Sequence, residues 1–158
     1  MEKIIYKLFV DGSVNPQKNI GFGAYLFCKE LNTCKEQKIF TKKFEDTSST
    51  KLEVQTFIWA VTQIDCSEKF IVYTDCQNIL SLLNRREKLQ NSNYTTKTGK
   101  KVKNEELYKE FFLLYDKYNF EIIKVKGHKK ASTKDEIDDC FFLVDKESRA
   151  KLRNEIIL

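Results

Sequence analysis

Two short apolar runs, each closed by an aspartate, constrain this chain more than any other feature. Residues 4–10 (Ile-Ile-Tyr-Lys-Leu-Phe-Val) lead into Asp11, and residues 70–74 (Phe-Ile-Val-Tyr-Thr) lead into Asp75. Runs of this kind are buried strands, as found in a sheet covered by helices. Glu53 opens an amphipathic helical stretch, and Asp145 sits inside another near the C-terminus. A carboxylate at the end of a buried strand loses hydration and repels its neighbours, so several together imply a bound cation. Hard oxygen ligands suit Mg²⁺ or Mn²⁺ rather than Zn²⁺. Metal-assisted phosphate chemistry is therefore the first expectation.

The length, 158 residues, suits one domain with a real core. A hydrophobic fraction of 41% and twelve Phe indicate a packed globular protein. No window approaches a transmembrane span, and Glu2, Lys3 and Lys7 argue against a signal peptide. The cysteines, at 28, 34, 66, 76 and 140, are odd in number and contain no Cys-x-x-Cys pair. That spacing predicts neither a disulfide framework nor a zinc site, and it fits a reducing cytoplasm. A monomer is expected.

Charge is unevenly distributed. Residues 85–103 hold Arg85, Arg86, Lys88, Lys97, Lys100, Lys101 and Lys103 against the single acid Glu87, an excess that accounts for the whole chain's net +5. A polyanion is the natural partner for such a segment, although lysine-rich surface loops are common without one.

Hydrophobic periodicity supplies the element order. Strands are predicted at 4–10, 21–27 and, more weakly, about 35–44, with Asp11-Gly12-Ser13 and Asn15-Pro16 marking a turn after the first. Thr50-Lys51-Leu52-Glu53 has the form of a capping box, and Val54, Phe57, Ile58, Val61 and Ile64 follow at helical spacing. A strand at 70–74 and a short helix at 78–84 precede the basic segment. Asn104 is placed to cap the next helix, whose apolar face is Leu107, Phe111, Leu114 and Tyr118. A strand at 120–125 and a last helix over about 135–153 complete the chain. The order describes an α/β fold with a mixed five-stranded sheet: three antiparallel strands, then parallel crossovers, flanked by helices. Tyr108, Tyr115 and Tyr118 read as helix packing, and Cys76 as a small buried filler.

Six segments together resemble type 1 ribonuclease H: Val10-Asp11-Gly12-Ser13, Lys51-Leu52-Glu53, Tyr73-Thr74-Asp75-Cys76-Gln77, Val102-Lys103-Asn104, Val125-Lys126-Gly127-His128, and Val144-Asp145 with Arg149 four residues on. Each is weak alone, but their order and spacing are specific, and they span nearly the whole chain. The resemblance implies a ribonuclease H-like fold. It also implies an endonuclease that cleaves the RNA strand of RNA–DNA hybrids with two divalent ions, leaving 3′-hydroxyl and 5′-phosphate ends. Two cations roughly 4 Å apart clamp the attacking and leaving oxygens of such a displacement, and four carboxylates would neutralise them.

By the same resemblance, Asp11, Glu53, Asp75 and Asp145 are the metal ligands, with Asp11 bridging both ions. The fourth position stays open at this point. Many relatives carry it about ten residues after the histidine, which would point at Asp138 or Asp139. The pattern Val-Asp-x-x-Ser-Arg favours Asp145, while Asp138, two turns earlier on the same helix face, is the alternative. His128, the sole histidine, is implied to assist proton transfer or product release. Asn15, Ser49 and Gln77 are implied to meet 2′-hydroxyls, and Ser48 and Thr50 to flank the phosphate path. Ser49 and Thr50 depart from the usual asparagines. The 85–103 segment, with Arg85, Arg86, Lys97, Lys100 and Lys101, matches a basic protrusion that grips the DNA strand in some relatives, without the tryptophans seen there. The rival readings are a non-catalytic nucleic-acid-binding module of the same fold and a related DNA-cleaving nuclease.

Overall fold

A computed structural model describes residues 4–126 and 135–157. Its centre is β1 (Tyr6–Asn15), which pairs antiparallel with β2 (Ile20–Cys28) and parallel with β4 (Phe70–Thr74). β3 (Phe40–Phe44) adds antiparallel to β2, and β5 (Phe120–Lys124) adds parallel to β4. The sheet order is β3-β2-β1-β4-β5, the mixed five-stranded arrangement expected from the element order. Four α-helices flank it: α1 (Ser49–Ile64), α2 (Gln77–Asn91), α3 (Glu105–Lys117) and α4 (Glu136–Ile157).

Period-2 alternation along β1 divides the core into two layers. Leu8 and Val10 join Val54, Phe57 and Val61 of α1, Ile79 and Leu82 of α2, and Phe111 of α3. Phe9, with Ala24, Leu26 and Tyr73, packs instead on Cys140 and Val144 of α4. The same alternation puts Asp11 and Ser13 on the α4 side, and the Ser13 hydroxyl meets the fully buried Ser148 at 3.0 Å. Ser148 in turn donates to the Asp145 carbonyl at 3.0 Å.

Glycines in β2 let α1 lie directly on the sheet. A Cβ at Gly21 would stand 2.7 Å from Leu52 Cδ2, and one at Gly23 would stand 2.4 Å from Thr56 Oγ1. This close approach carries Glu53, between Leu52 and Thr56, toward β1.

Several local expectations change. β1 runs straight through Asp11-Gly12-Ser13, because all three pair with β2; the turn comes only after Asn15. The N-cap of α1 is Ser48, whose Oγ accepts from Lys51 N–H at 3.3 Å, so Thr50 and Glu53 form no capping box. Glu53 is thereby free to face the sheet. Asn104 precedes α3 with φ 67° and makes no side-chain cap. A 3₁₀ turn at Leu31–Glu36 occupies the start of the region expected to be the third strand. α2 continues to Asn91, so the first basic residues are helical.

The largest correction concerns the cysteines. Cys34 of the 3₁₀ turn and Cys140 of α4 form a disulfide, with Cα atoms 6.0 Å apart. Cys28, Cys66 and Cys76 are free. The partners lie 106 residues apart in sequence and meet only because α4 packs across the face of β1 and β2 and reaches the 3₁₀ turn. No spacing rule could have paired them.

Candidate active site

The parallel pairing of β1 with β4 ends at Phe9↔Tyr73, while the antiparallel pairing with β2 continues to Asn15. Beyond Phe9, β1 therefore has an open side just past the carboxyl end of β4. Open sheets bind ligands at such points, where neighbouring connections diverge. A cleft of about 340 Å³ lies there. Asp11 reaches it from β1, Glu53 from the first turns of α1, Asp75 from the residue after β4, and Asp145 from the middle of α4. Ser13, Thr56, Thr74, Cys76 and Arg149 complete the polar part of its wall.

Electrostatics shows how closely these acids crowd. Asp11 is pushed up to about 9, first by burial, then by its hydrogen bond with Asp145 and by the charge of Asp75. Glu53 is raised by burial foremost and then by Asp75, against the stabilising bond from Cys76. Asp75 is raised by burial and by Asp145, with Lys124 and Arg149 opposing. Arg149 Nε also donates to Asp145 Oδ1 at 3.1 Å.

The donor set fits a divalent cation better than anything else the cleft offers. It presents four carboxylates, which are hard anionic oxygens, and the buried Thr56 hydroxyl has no hydrogen-bond partner. Among the described residues, no three carboxylate, thiol or imidazole groups already form a closed metal cage. A divalent cation would relieve the mutual repulsion of these acids, which without it is relieved by Asp11 holding a proton.

Asp138 and Asp145 separate cleanly. Asp138 lines a different cavity, beside Tyr73 and Ile123. Its Oδ2 accepts from Asp135 N–H at 3.0 Å while Asp135 Oδ1 accepts from Asp138 N–H at 3.1 Å, a reciprocal arrangement at the start of α4. Asp139 is exposed on the same turn. His128 lies outside the described residues.

None of Asn15, Ser48, Ser49, Thr50 and Gln77 lines the cleft. Asn15 Oδ1 accepts from the N–H groups of Gln17 and Lys18, shaping the β1–β2 turn. Ser48 caps α1, and Ser49 and Thr50 stand exposed on its first turn. Gln77 Oε1 accepts from Lys124 Nζ at 3.0 Å.

The basic segment is more ordered than a loop. Arg86 makes a two-pronged pair with Asp116 of α3 at 2.7 and 2.6 Å and covers the Phe112 ring, so it braces two helices. Arg85 donates to Asn78 Oδ1 at 2.8 Å, and Lys101 donates to the Asn93 carbonyl and to Glu105. The Lys97 and Lys100 side chains make no ion pair or hydrogen bond among the described residues. Arg85, Lys88 and Lys97 border a groove of about 450 Å³ floored by Leu89 and Val102.

Two cleft residues do more than their local sequence indicates. Cys76 is buried as expected, and in addition its Sγ donates to Glu53 Oε2 at 2.9 Å and accepts from Ile79 N–H at 3.4 Å. Burial, with Glu53 beside it, pushes this thiol up to about 12. Thr56 had one available signal, its position one turn after Glu53.

Comparison with known proteins agrees with this geometry. The family model for RNase H matches residues 3–141. The chain belongs to the RNase H family, a class of hydrolases. A ribonuclease H of Clostridium botulinum (strain Hall) is 28% identical over 132 residues, covering 81% of this chain and 85% of the relative. A ribonuclease H of Caldicellulosiruptor saccharolyticus is 27% identical over 144 residues, covering 90% and 97%. The family match stops just before Asp145, so the family model does not bear on its place in the cleft.

Proposed function

We propose that this chain is an endoribonuclease that hydrolyses the RNA strand of RNA–DNA hybrids with two divalent cations, Mg²⁺ or Mn²⁺, leaving 3′-hydroxyl and 5′-phosphate ends. The observation that carries the reading is the gathering of Asp11, Glu53, Asp75 and Asp145, from four separate elements, in one cleft. Family membership narrows the chemistry to ribonuclease H, and the names of the relatives agree with it.

In this reading Asp11 is the central ligand, since it alone is pressed by both Asp75 and Asp145. Glu53 and Asp145 flank it from opposite layers of the core, and Asp75 closes the set. When bound, the cations supply Lewis-acid activation of the scissile phosphate and ease deprotonation of the attacking water. Arg149 orients Asp145 and limits the negative charge of the cleft. By its match to the family pattern, His128 assists proton transfer or product release. His128→Ala is expected to slow turnover about 10- to 100-fold while leaving Mg²⁺ affinity unchanged; a collapse of calorimetric Mg²⁺ binding would refute that role.

Substrate is gripped from two sides. Asn15, Ser49 and Gln77 meet the 2′-hydroxyls, and Ser48 and Thr50 lie along the phosphates. Arg85, Lys97, Lys100 and Lys101 hold the DNA strand by charge. Binding should weaken with salt at a slope of about 0.9 in log–log terms per phosphate contact, and Lys97→Ala and Lys100→Ala should each lower the slope by about one contact. Titration of a labelled hybrid at several salt concentrations measures this, and a flat profile would remove the basic segment from the interface. Action as a monomer goes with this reading, while the Cys34–Cys140 bond removes the cysteine-based argument for a reducing cytoplasm. Among the described residues no helix is long and apolar enough to cross a membrane.

One assay tests the whole proposal. Labelled RNA–DNA hybrid, duplex DNA and duplex RNA are incubated with the protein in Mg²⁺ or in EDTA. Only the hybrid should be cut, only with Mg²⁺, and only in its RNA strand. Cleavage of duplex DNA would make the chain a DNA nuclease, and binding without cleavage would make it a non-catalytic module.

A further inference from the structure

We propose that Cys76 is the positioning residue for Glu53, its thiol acting as a fixed donor that sets the Glu53 carboxylate in the orientation needed to receive a cation. The inference rests on the proposed function, because it concerns how one ligand of that site is held.

Glu53 ends in three rotatable bonds, so a fixed helix alone does not aim its carboxylate. Its Oε2 accepts the Cys76 Sγ–H at 2.9 Å, while Oε1 has no partner among the described residues. The bond thus holds one oxygen and leaves the other without a protein partner among the described residues, on a side chain that lines the cleft. The donor is itself immobile. Cys76 is the N-cap of α2: its sulfur accepts from Ile79 N–H, and its own N–H donates to Thr74 Oγ1 at 3.1 Å. A thiol can give its proton in one direction and accept in another, which is what this position requires. Thr74 and Cys76 flank Asp75, so the tip of β4 and the start of α2 place a second ligand, Asp75, while orienting the first. Cys76 is buried, so water does not compete for its thiol proton. Partners that orient metal ligands in this way typically change metal affinity or activity about 10- to 100-fold when removed.

The test compares Cys76→Ala with Cys76→Ser. Mg²⁺ binding is measured by calorimetry without substrate, cleavage is measured against Mg²⁺ concentration, and thermal unfolding is followed in EDTA. Cys76→Ala is expected to weaken Mg²⁺ binding about 10- to 100-fold. Cys76→Ser, which restores an O–H donor, is expected to stay close to the parent. In a Glu53→Gln background Cys76→Ala should cause little further loss of Mg²⁺ binding, since the group it orients is gone. If Cys76→Ala does not fold, Cys76→Val keeps the volume without the donor and takes its place. Equal Mg²⁺ affinity for Ala, Ser and parent, with only the melting temperature changed, would make Cys76 a packing and capping residue and overturn the inference. So would an undiminished effect of Cys76→Ala in the Glu53→Gln background. If the parent itself neither binds Mg²⁺ nor cuts a hybrid, the functional reading fails and this inference falls with it. If the parent does both, a null result for Cys76 rejects the positioning role alone.

Discussion

Asp11→Asn is expected to lower hybrid cleavage by about 10³-fold or more and, in the absence of metal, to make the protein more stable. The first effect follows from position. Asp11 is the acid that the other cleft acids crowd, and the loss of a central charged ligand forfeits on the order of 4 kcal/mol of transition-state stabilisation. The second follows from the same crowding. Folding raises Asp11 from the ordinary carboxylate range to about 9, so at neutral pH the folded chain holds a proton that the unfolded chain has released. Such a group supports the fold fully below about pH 4, and its support is lost as pH rises toward 9, at up to roughly 1.4 kcal/mol per pH unit.

Asparagine carries no charge at any of these pH values and removes this drain. Metal-free Asp11→Asn should therefore exceed the parent by about 2 kcal/mol or more at pH 7, with the gap widening toward pH 9. Mg²⁺ should narrow the gap, because it binds the ionised parent, and its affinity for the parent should increase with pH. Melting curves from pH 5 to 9, in EDTA and in Mg²⁺, measure all three effects. A parent whose metal-free stability does not fall with pH would show that Asp11 is not crowded in the way the cleft implies.

The second large effect concerns the Cys34–Cys140 bond. It closes a loop with a sequence separation of 106 residues, so reduction restores much chain entropy to the unfolded state. A loss of about 4 kcal/mol is expected on the chain-entropy argument, or roughly 10 °C in melting temperature for a domain of this size. Dithiothreitol should lower the melting temperature of the parent and have no effect on Cys140→Ser, which should already be as unstable as the reduced parent. Thiol counting gives an independent check: three titratable thiols in the denatured, unreduced protein and five after reduction. Five before reduction would show that the bond does not form. Cleavage at low temperature should survive reduction, because the Ser13–Ser148 contact and the packing of Val144 still hold α4 in place.

Much of this protein is legible along the chain because the relevant signals are local. Apolar runs before Asp11 and Asp75, helical spacing after Glu53 and the element order follow from backbone periodicity and side-chain burial, and they predict the sheet that forms. Five of the six short segments lie inside the family match over residues 3–141, which bears out the likeness; the sixth, Val144-Asp145 with Arg149, lies beyond it. What failed locally failed for local reasons with distant causes. Strand pairing with β2 pulled Asp11-Gly12-Ser13 into β1, and Ser48 displaced Thr50 as the cap of α1.

Other features depend on distance in space rather than along the chain. Asp145 and Asp138 share one helix and one residue type, yet only Asp145 borders the four-acid cleft, because Ser148 and Val144 set how α4 sits on β1. Cys34 meets Cys140, and Cys76 meets Glu53, across separations that no motif encodes. Propensity and burial act over a few residues, so the order of residues along the chain sets which groups are available and which elements carry them. Tertiary structure alone decided which groups meet, since contact between distant residues depends on how whole elements pack.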